Sequence, residues 1–319
     1  MMKSLTKGIF TISIDTEMAW GTFDHGGEKT YKKAYEAYRD IIDELLDLFH
    51  HFDVSATWAI VGHLFLDACR HQNGNIHPQI VRPNYNWYPH DWYSKDPGTN
   101  IHQDSFWYGR DLVLKIRSFV PKQEIASHSF GHIVFSDKGC SRAAAETDIA
   151  MCVDTAKNMG IDLKSFVFPR NAPGHLDILV KYGFSVYRTH PDMKNVTDVR
   201  PSLYKRGVGL LKDAIPLSPP VYVLPSPEMQ GLRQIPASMH FRYALGLSRI
   251  VMPTMRYWKA KLGLKKAATE KKLFHLWFHP MNFYWHRKQL FKELKQILTC
   301  ASEWRADNRL DVLPMEELI

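Results

Sequence analysis

The clearest periodic signal in the chain runs from residue 8 to residue 17. Thr11, Ser13, Asp15 and Glu17 fall on one side at every second position, and Phe10, Ile12 and Ile14 fall on the other. This predicts a strand with an apolar back and two carboxylates at its C-terminal tip. The period becomes helical over 31–52, where Tyr35, Tyr38, Ile41, Ile42, Leu45, Leu48 and Phe49 form one apolar stripe. A second strand is predicted at 54–62 and a short third at 124–127. Ser141 is placed to cap a helix that ends before Gly160. Further strands are expected at 165–168, 185–188, 233–236 and 273–279, with helices at 175–182 and 287–304. Strands alternating with helices in this way predict a parallel α/β architecture.

Two long stretches interrupt the alternation, at 70–108 and 190–272. Neither marks a change of composition that demands a second domain. They are read as loop inserts of a single domain spanning 1–319.

The predicted strand tips carry the polar chemistry. Asp15 and Glu17 end the first strand. His128 and His132 follow the third, and at a spacing of four two imidazoles can meet one metal ion from a helical turn. The spacing alone is weak, because a chain with 16 histidines gives about one such pair by chance. A second pair, His275 and His279, lies on a strand of period two together with Trp277. His279 sits at its end, before Pro280 stops the ladder, and is the candidate for a site role. His275 lies deeper and reads as a buried structural histidine. Arg170 and Asn171 emerge after the apolar run 166–168. There an arginine either pairs with a carboxylate from a neighbouring strand or stays on the surface.

Composition narrows the class. The chain has 319 residues, of which 45% are hydrophobic, enough for a large core. No run of 18 apolar residues occurs, so no transmembrane helix is expected. The apolar stretch 9–14 runs straight into the carboxylates, which argues against a cleaved leader. Cys69, Cys140, Cys152 and Cys300 show neither metal spacing nor the density of a secreted scaffold, and reduced thiols in a cytoplasm are expected. The net charge of +8 is concentrated at Arg242, Arg249, Arg256, Lys259, Lys261, Lys265, Lys266, Lys271 and Lys272, opposed there by Glu270 alone. Interleaved with Leu247, Ile250, Trp258 and Leu262, such a stretch suits a solvated helix face, or peripheral contact with an anionic membrane or an anionic substrate. No nucleic-acid-binding motif accompanies it, so no nucleic-acid partner is expected.

Taken in order, the tips 14–17, the strand 56–62, the loop 128–132, the arginine loop 168–171 and the late strand 276–279 resemble the polysaccharide deacetylase superfamily, carbohydrate esterase family 4 (NodB-like). The resemblance spans most of the chain but neither insert. It implies a distorted (β/α) barrel of about seven strands and hydrolysis of an N-acetyl group on a carbohydrate. It further implies that Glu17, His128 and His132 hold a divalent metal, usually zinc. Asp15 would be the general base, Arg170 its orienting partner and His279 the general acid. Two departures are visible. Thr16 separates two acids that are commonly adjacent aspartates, so either Asp15 or Glu17 is open as the ligand. The arginine loop reads Phe-Pro-Arg-Asn.

The chemistry is coherent on its own terms. Two imidazoles and a carboxylate leave metal positions for water and a carbonyl oxygen. A base takes the proton of the water, a backbone N–H near Asn171 is placed for the oxyanion, and an acid protonates the departing amine. Trp92, Trp107 and Tyr108 in the first insert suit stacking on sugar rings, or packing over the barrel. With no export signal, a precursor of an envelope glycan is the expected substrate. Competing readings are a cyclic amide or other acylated small molecule as substrate, a non-catalytic carbohydrate binder, and a mononuclear iron oxygenase, against which the β/α alternation speaks.

Overall fold

A computed structural model describes residues 5–190, 217–228, 231–243 and 248–319, without the side chains of 248–254. At its centre lies β1 (Gly8–Thr16), buried along its whole length. Among the described residues eight further strands join it: β2 (Thr57–Ile60), β3 (Glu124–Ser127), β4 (Ser165–Val167), β5 (Val186–Thr189), β6 (Arg233–Pro236), β7 (Met239–His240), β8 (Leu273–Phe278) and β9 (Leu310–Val312). All pair in parallel, in the order β6-β5-β4-β3-β2-β1-β8-β7, and β9 lies against the start of β1. This is the curled α/β half-barrel that the alternation predicts.

Parallel strands need crossovers, and helices supply most of them. The helices are α1 (Gly27–Glu36), α2 (Tyr38–Phe52), α3 (Arg110–Arg117), α4 (Arg142–Lys157), α5 (Leu176–Lys181), α6 (Ser248–Glu270) and α7 (Arg287–Ala306). Phe10, Ile12 and Ile14 face this outer layer and join the large core that Leu45, Phe49, Leu294 and Leu298 fill from α2 and α7. The inner face is closed at its base by one residue from each of seven strands: Ile9, Ala59, Ala126, Val167, Val186, Ile235 and Leu273. Above that apolar layer the inward positions turn polar, and the strand tips open into the site.

Several boundaries differ from the periodic reading. The helix at 31–52 is two helices meeting at Ala37, and β2 is shorter than 54–62 because Gly62–Phe65 winds into a 3-10 turn. α3, β7 and β9 were not visible as periods, being too short to establish one. Ser141 caps α4, its Oγ accepting from Ala144 N at 3.1 Å. The second insert is not a loop throughout: 248–270 is the 23-residue α6. There Arg256 is buried and forks onto Glu293 at 2.6 and 3.0 Å, so it does not belong to a solvated or membrane-facing basic stripe. The side chains of Leu247, Arg249 and Ile250, and all of 191–216, lie outside the described residues. Among the described residues no helix is long and apolar enough to cross a membrane.

Candidate metal and catalytic site

Register alone brings the tips together. Ser13 pairs with Thr57 and Trp277, so the ends of β1, β2 and β8 finish side by side, and β3 follows across β2. Glu17 Oε1 lies 3.0 Å from His128 Nε2, 3.2 Å from His132 Nε2 and 3.4 Å from His279 Nε2. His279 Nε2 is also 3.7 Å from Asp15 Oδ2. Segments far apart in sequence thus place two carboxylates and three imidazoles around one point.

Each group is held from behind. His128 Nδ1 is 2.7 Å from the Val167 carbonyl. A carbonyl only accepts, so Nδ1 donates to it, and Nε2 is the nitrogen directed at Glu17 that would ligate an ion. Glu17 N–H donates to Tyr38 Oη, and Gly21 packs so closely on the Glu17 side chain that a Cβ there would overlap Oε2. The loop 128–132 is not the helical turn expected from its spacing: Ser129 and His132 have φ of 67° and 58°. Asp148 of α4, buried under this loop, fixes it by accepting from Phe130 N at 2.8 Å and Gly131 N at 2.9 Å. Burial pushes the Asp148 carboxyl up to about 6, against those hydrogen bonds.

Asp15 pairs with Arg188, not with Arg170. The Arg188 guanidinium meets both Asp15 oxygens at 2.6 Å, and also donates to Asn171 Oδ1 and Ser13 Oγ at 3.0 Å. Its other face lies on Trp277, 4.4 Å from the ring centroid, and Ser13 Oγ continues to His275 Nε2 at 2.8 Å. Arg170, expected as the partner, instead binds Asp24 and lies over the Trp87 ring. The reason is position: Arg188 is an inward residue of β5 aimed across the barrel, whereas Arg170 turns outward in a 3-10 turn with φ 55°. The inward parity of 186 and 188 was the signal available for Arg188, and Asp148 had none, since a mid-helix aspartate usually faces water.

Charge state follows from these partners. Burial raises the Glu17 carboxyl, but His279, His132 and His128 outweigh it and hold it well below the usual carboxylate range. Burial likewise opposes Asp15 ionisation, and Arg188 outweighs that. His279 is lowered by burial but raised more by Glu17 and Asp15, so it is held above the ordinary histidine value. His275, buried beside Arg188, is pushed down to about 3 and is neutral.

The donor set fits a divalent ion. In a tetrahedral zinc site ligand atoms lie about 3.3 Å apart, and the distances from Glu17 to His128 and His132, 3.0 and 3.2 Å, fall just short of that span. Asn171 reaches the site through Arg188. The aromatic residues expected to bind substrate do not: Trp92 is buried, donating Nε1 to Gly131 O at 2.6 Å, and Tyr108 is buried against Cys69. Trp107 is half-buried, edge-on to Trp20. These rings pack the insert over the barrel, and its exposed tryptophan is Trp87.

No protein-family model matches the sequence, and neither does any curated protein. Solved structures do share the fold. A Mycobacterium smegmatis protein assigned to the polysaccharide deacetylases has a TM-score of 0.60 at 13% identity, over 99% of this chain and 90% of its own. A Pseudomonas aeruginosa PAO1 protein of the same assignment has 0.58 at 11%, over 97% and 89%. Puue allantoinase has 0.53 at 12%, over 97% and 88%. At such identities the likeness is one of fold. The resemblance drawn from the strand tips therefore extends to the whole architecture, the (β/α) barrel of the deacetylase structures.

Proposed function

We propose that this protein is a metal-dependent hydrolase that removes N-acetyl groups from a sugar or polysaccharide precursor. The observation that carries this reading is the convergence of Asp15, Glu17, His128, His132 and His279 at the tips of parallel strands. Glu17, His128 and His132 would hold the ion, zinc by the chemistry of the donors, and when bound it supplies a Lewis acid for the amide carbonyl and for water. Asp15 takes the proton of the attacking water at a carboxylate oxygen, and the Arg188 fork keeps that carboxylate aligned and anionic. His279, whose Nε2 lies 3.4 Å from Glu17 and 3.7 Å from Asp15, would deliver its Nε2 proton to the departing amine, a poor leaving group as an anion.

The test is acetate release from a panel of N-acetylated glycans with and without a chelator. Release that the chelator stops and zinc restores is expected; no release from any glycan by the metal-loaded protein would overturn the reading. A second reading keeps the site and changes the substrate to a cyclic amide, favoured by the fold shared with an allantoinase. Ring opening in place of acetate release would select it. A lipid-linked envelope-glycan precursor handled at the cytoplasmic face of a membrane is the biological setting we favour, since exposed Trp258 with Lys261 beside it offers an interfacial contact. Absence of binding to anionic vesicles at low salt would remove that part.

A further inference from the structure

We infer that the first insert carries a second, structural zinc site made by His63, Cys69, His77 and Asp96. Four potential ligand atoms, one from each residue, all lie within 4.8 Å of one another. Cys69 Sγ is 3.5 Å from both His63 Nε2 and Asp96 Oδ2. Asp96 Oδ2 is 2.8 Å from His63 Nε2 and 3.2 Å from His77 Nε2. Tetrahedral zinc with one sulfur and three N or O ligands requires edges of about 3.3 to 3.6 Å, and these four edges, from 2.8 to 3.5 Å, come close to it.

The surroundings are those of a closed structural site. His63 Nδ1 donates to the Trp107 carbonyl at 3.1 Å, and Nε2, 2.8 Å from Asp96 Oδ2, is the nitrogen placed to ligate an ion. Trp20, Phe130, Tyr93 and Tyr108 wall the cluster with rings whose centroids stand 4.5–5.6 Å from those of the two imidazoles. His63, His77 and Asp96 are buried, and the half-buried Cys69 leaves an entry path. All four ligands being protein groups, no position is left for a substrate, which distinguishes the site from the open one at the strand tips.

The location explains its use. Between residue 66 and α3 the described chain forms neither helix nor strand beyond isolated bridges, and a connection of that length needs something to order it. His63 belongs to the turn after β2, Cys69 stands just before the insert, and His77 and Asp96 come from it, so one ion would tie the insert to the sheet. The same turn holds the loop of the first site: Gly62 N and His63 N donate to Ser129 O and Phe130 O at 2.8 and 3.0 Å. Loss of the second ion is therefore expected to weaken metal binding at the first.

Elemental analysis and zinc X-ray absorption on the full chain, zinc-loaded and dialysed, test the site. Wild type is expected to hold about two ions, and His128→Ala/His132→Ala about one, with a sulfur scatterer at about 2.3 Å. Cys69→Ser/His77→Ala is expected to lose the sulfur signal and one ion. Should the strand-tip reading fail, wild type would still hold about one sulfur-bound ion. A natively folded His128→Ala/His132→Ala protein without metal, or one whose zinc shows no sulfur, would overturn the proposal. The cluster would then be a hydrogen-bonded His–Asp network alone. That decision stands even where the Cys69 variant does not fold.

Discussion

Two clusters of histidine and carboxylate lie back to back in this molecule, and they are assembled by different physics. Glu17, His128, His132 and His279 are delivered by strand tips whose heights are set by parallel register. His63, Cys69, His77 and Asp96 are delivered by a turn and an irregular insert. The first opens at the end of the half-barrel, with His279 partly exposed, as a site for substrate must. The second is walled by aromatic rings. On the proposed reading the same donor types would serve reaction in one case and stapling in the other, according to whether the scaffold leaves a ligand position accessible.

The comparison can be broken in graded steps. His128→Ala should bring acetate release to background and remove the strand-tip ion while sparing the sulfur-bound one; loss of both would mean that the clusters are not separate. Asp15→Asn should lower kcat by about 10²–10⁴-fold with metal content unchanged. Full activity in that variant would refute Asp15 as the base. Arg188→Lys loses the two-pronged grip on Asp15 and should cost about 10²-fold. Arg170→Ala should change turnover by less than about tenfold, since Arg170 binds Asp24 and leaves the Asp15 carboxylate to Arg188. The reverse ranking would restore Arg170 to the role expected from its loop. Gly21→Ala pushes a methyl group into the Glu17 carboxylate and should weaken zinc binding at the tips by about 10–100-fold, read by competition with a chelating dye.

A further test, of stability and not turnover, concerns a buried carboxylate at the start of β3. Glu124, buried at the start of β3, accepts from Thr57 Oγ1 and Glu316 N, and burial pushes it up to about 7. Between its ordinary value of 4.5 and about 7 the folded protein keeps a proton that the unfolded chain releases. Stability is therefore fully present below that window and falls as pH rises through it, by up to about 3 kcal/mol. Urea unfolding at about pH 5 and about pH 8 should show this loss in wild type and a flatter profile in Glu124→Gln. Equal slopes would show that Glu124 is not the group responsible.

Much of the first cluster was legible because a strand's period of two is a local property of the backbone. It places Asp15 inward wherever the strand lies, and it places His275 and His279 on the face of Trp277. Ser141 as a cap is equally local, needing only its own hydroxyl and the N–H three residues on. The identity of the Asp15 partner was not legible. Arg188 lies within a short strand and Arg170 just after one, and only the curl of the sheet decides which guanidinium crosses the barrel. Trp92 and Tyr108 offered rings suited to sugar, but the path of the insert buries them. Cys69 was discounted because it has no neighbouring cysteine, and a mixed ligand set at irregular spacing leaves no periodic trace.

The chain by itself determined which residues point inward and that strands alternate with helices, since both follow from backbone geometry over a few residues. The folded arrangement alone decided which of those inward groups meet, and that a turn and the irregular chain after it gather His63, Cys69, His77 and Asp96 into one cluster. Such meetings depend on sheet order, curvature and loop path, which are sums over contacts hundreds of residues apart.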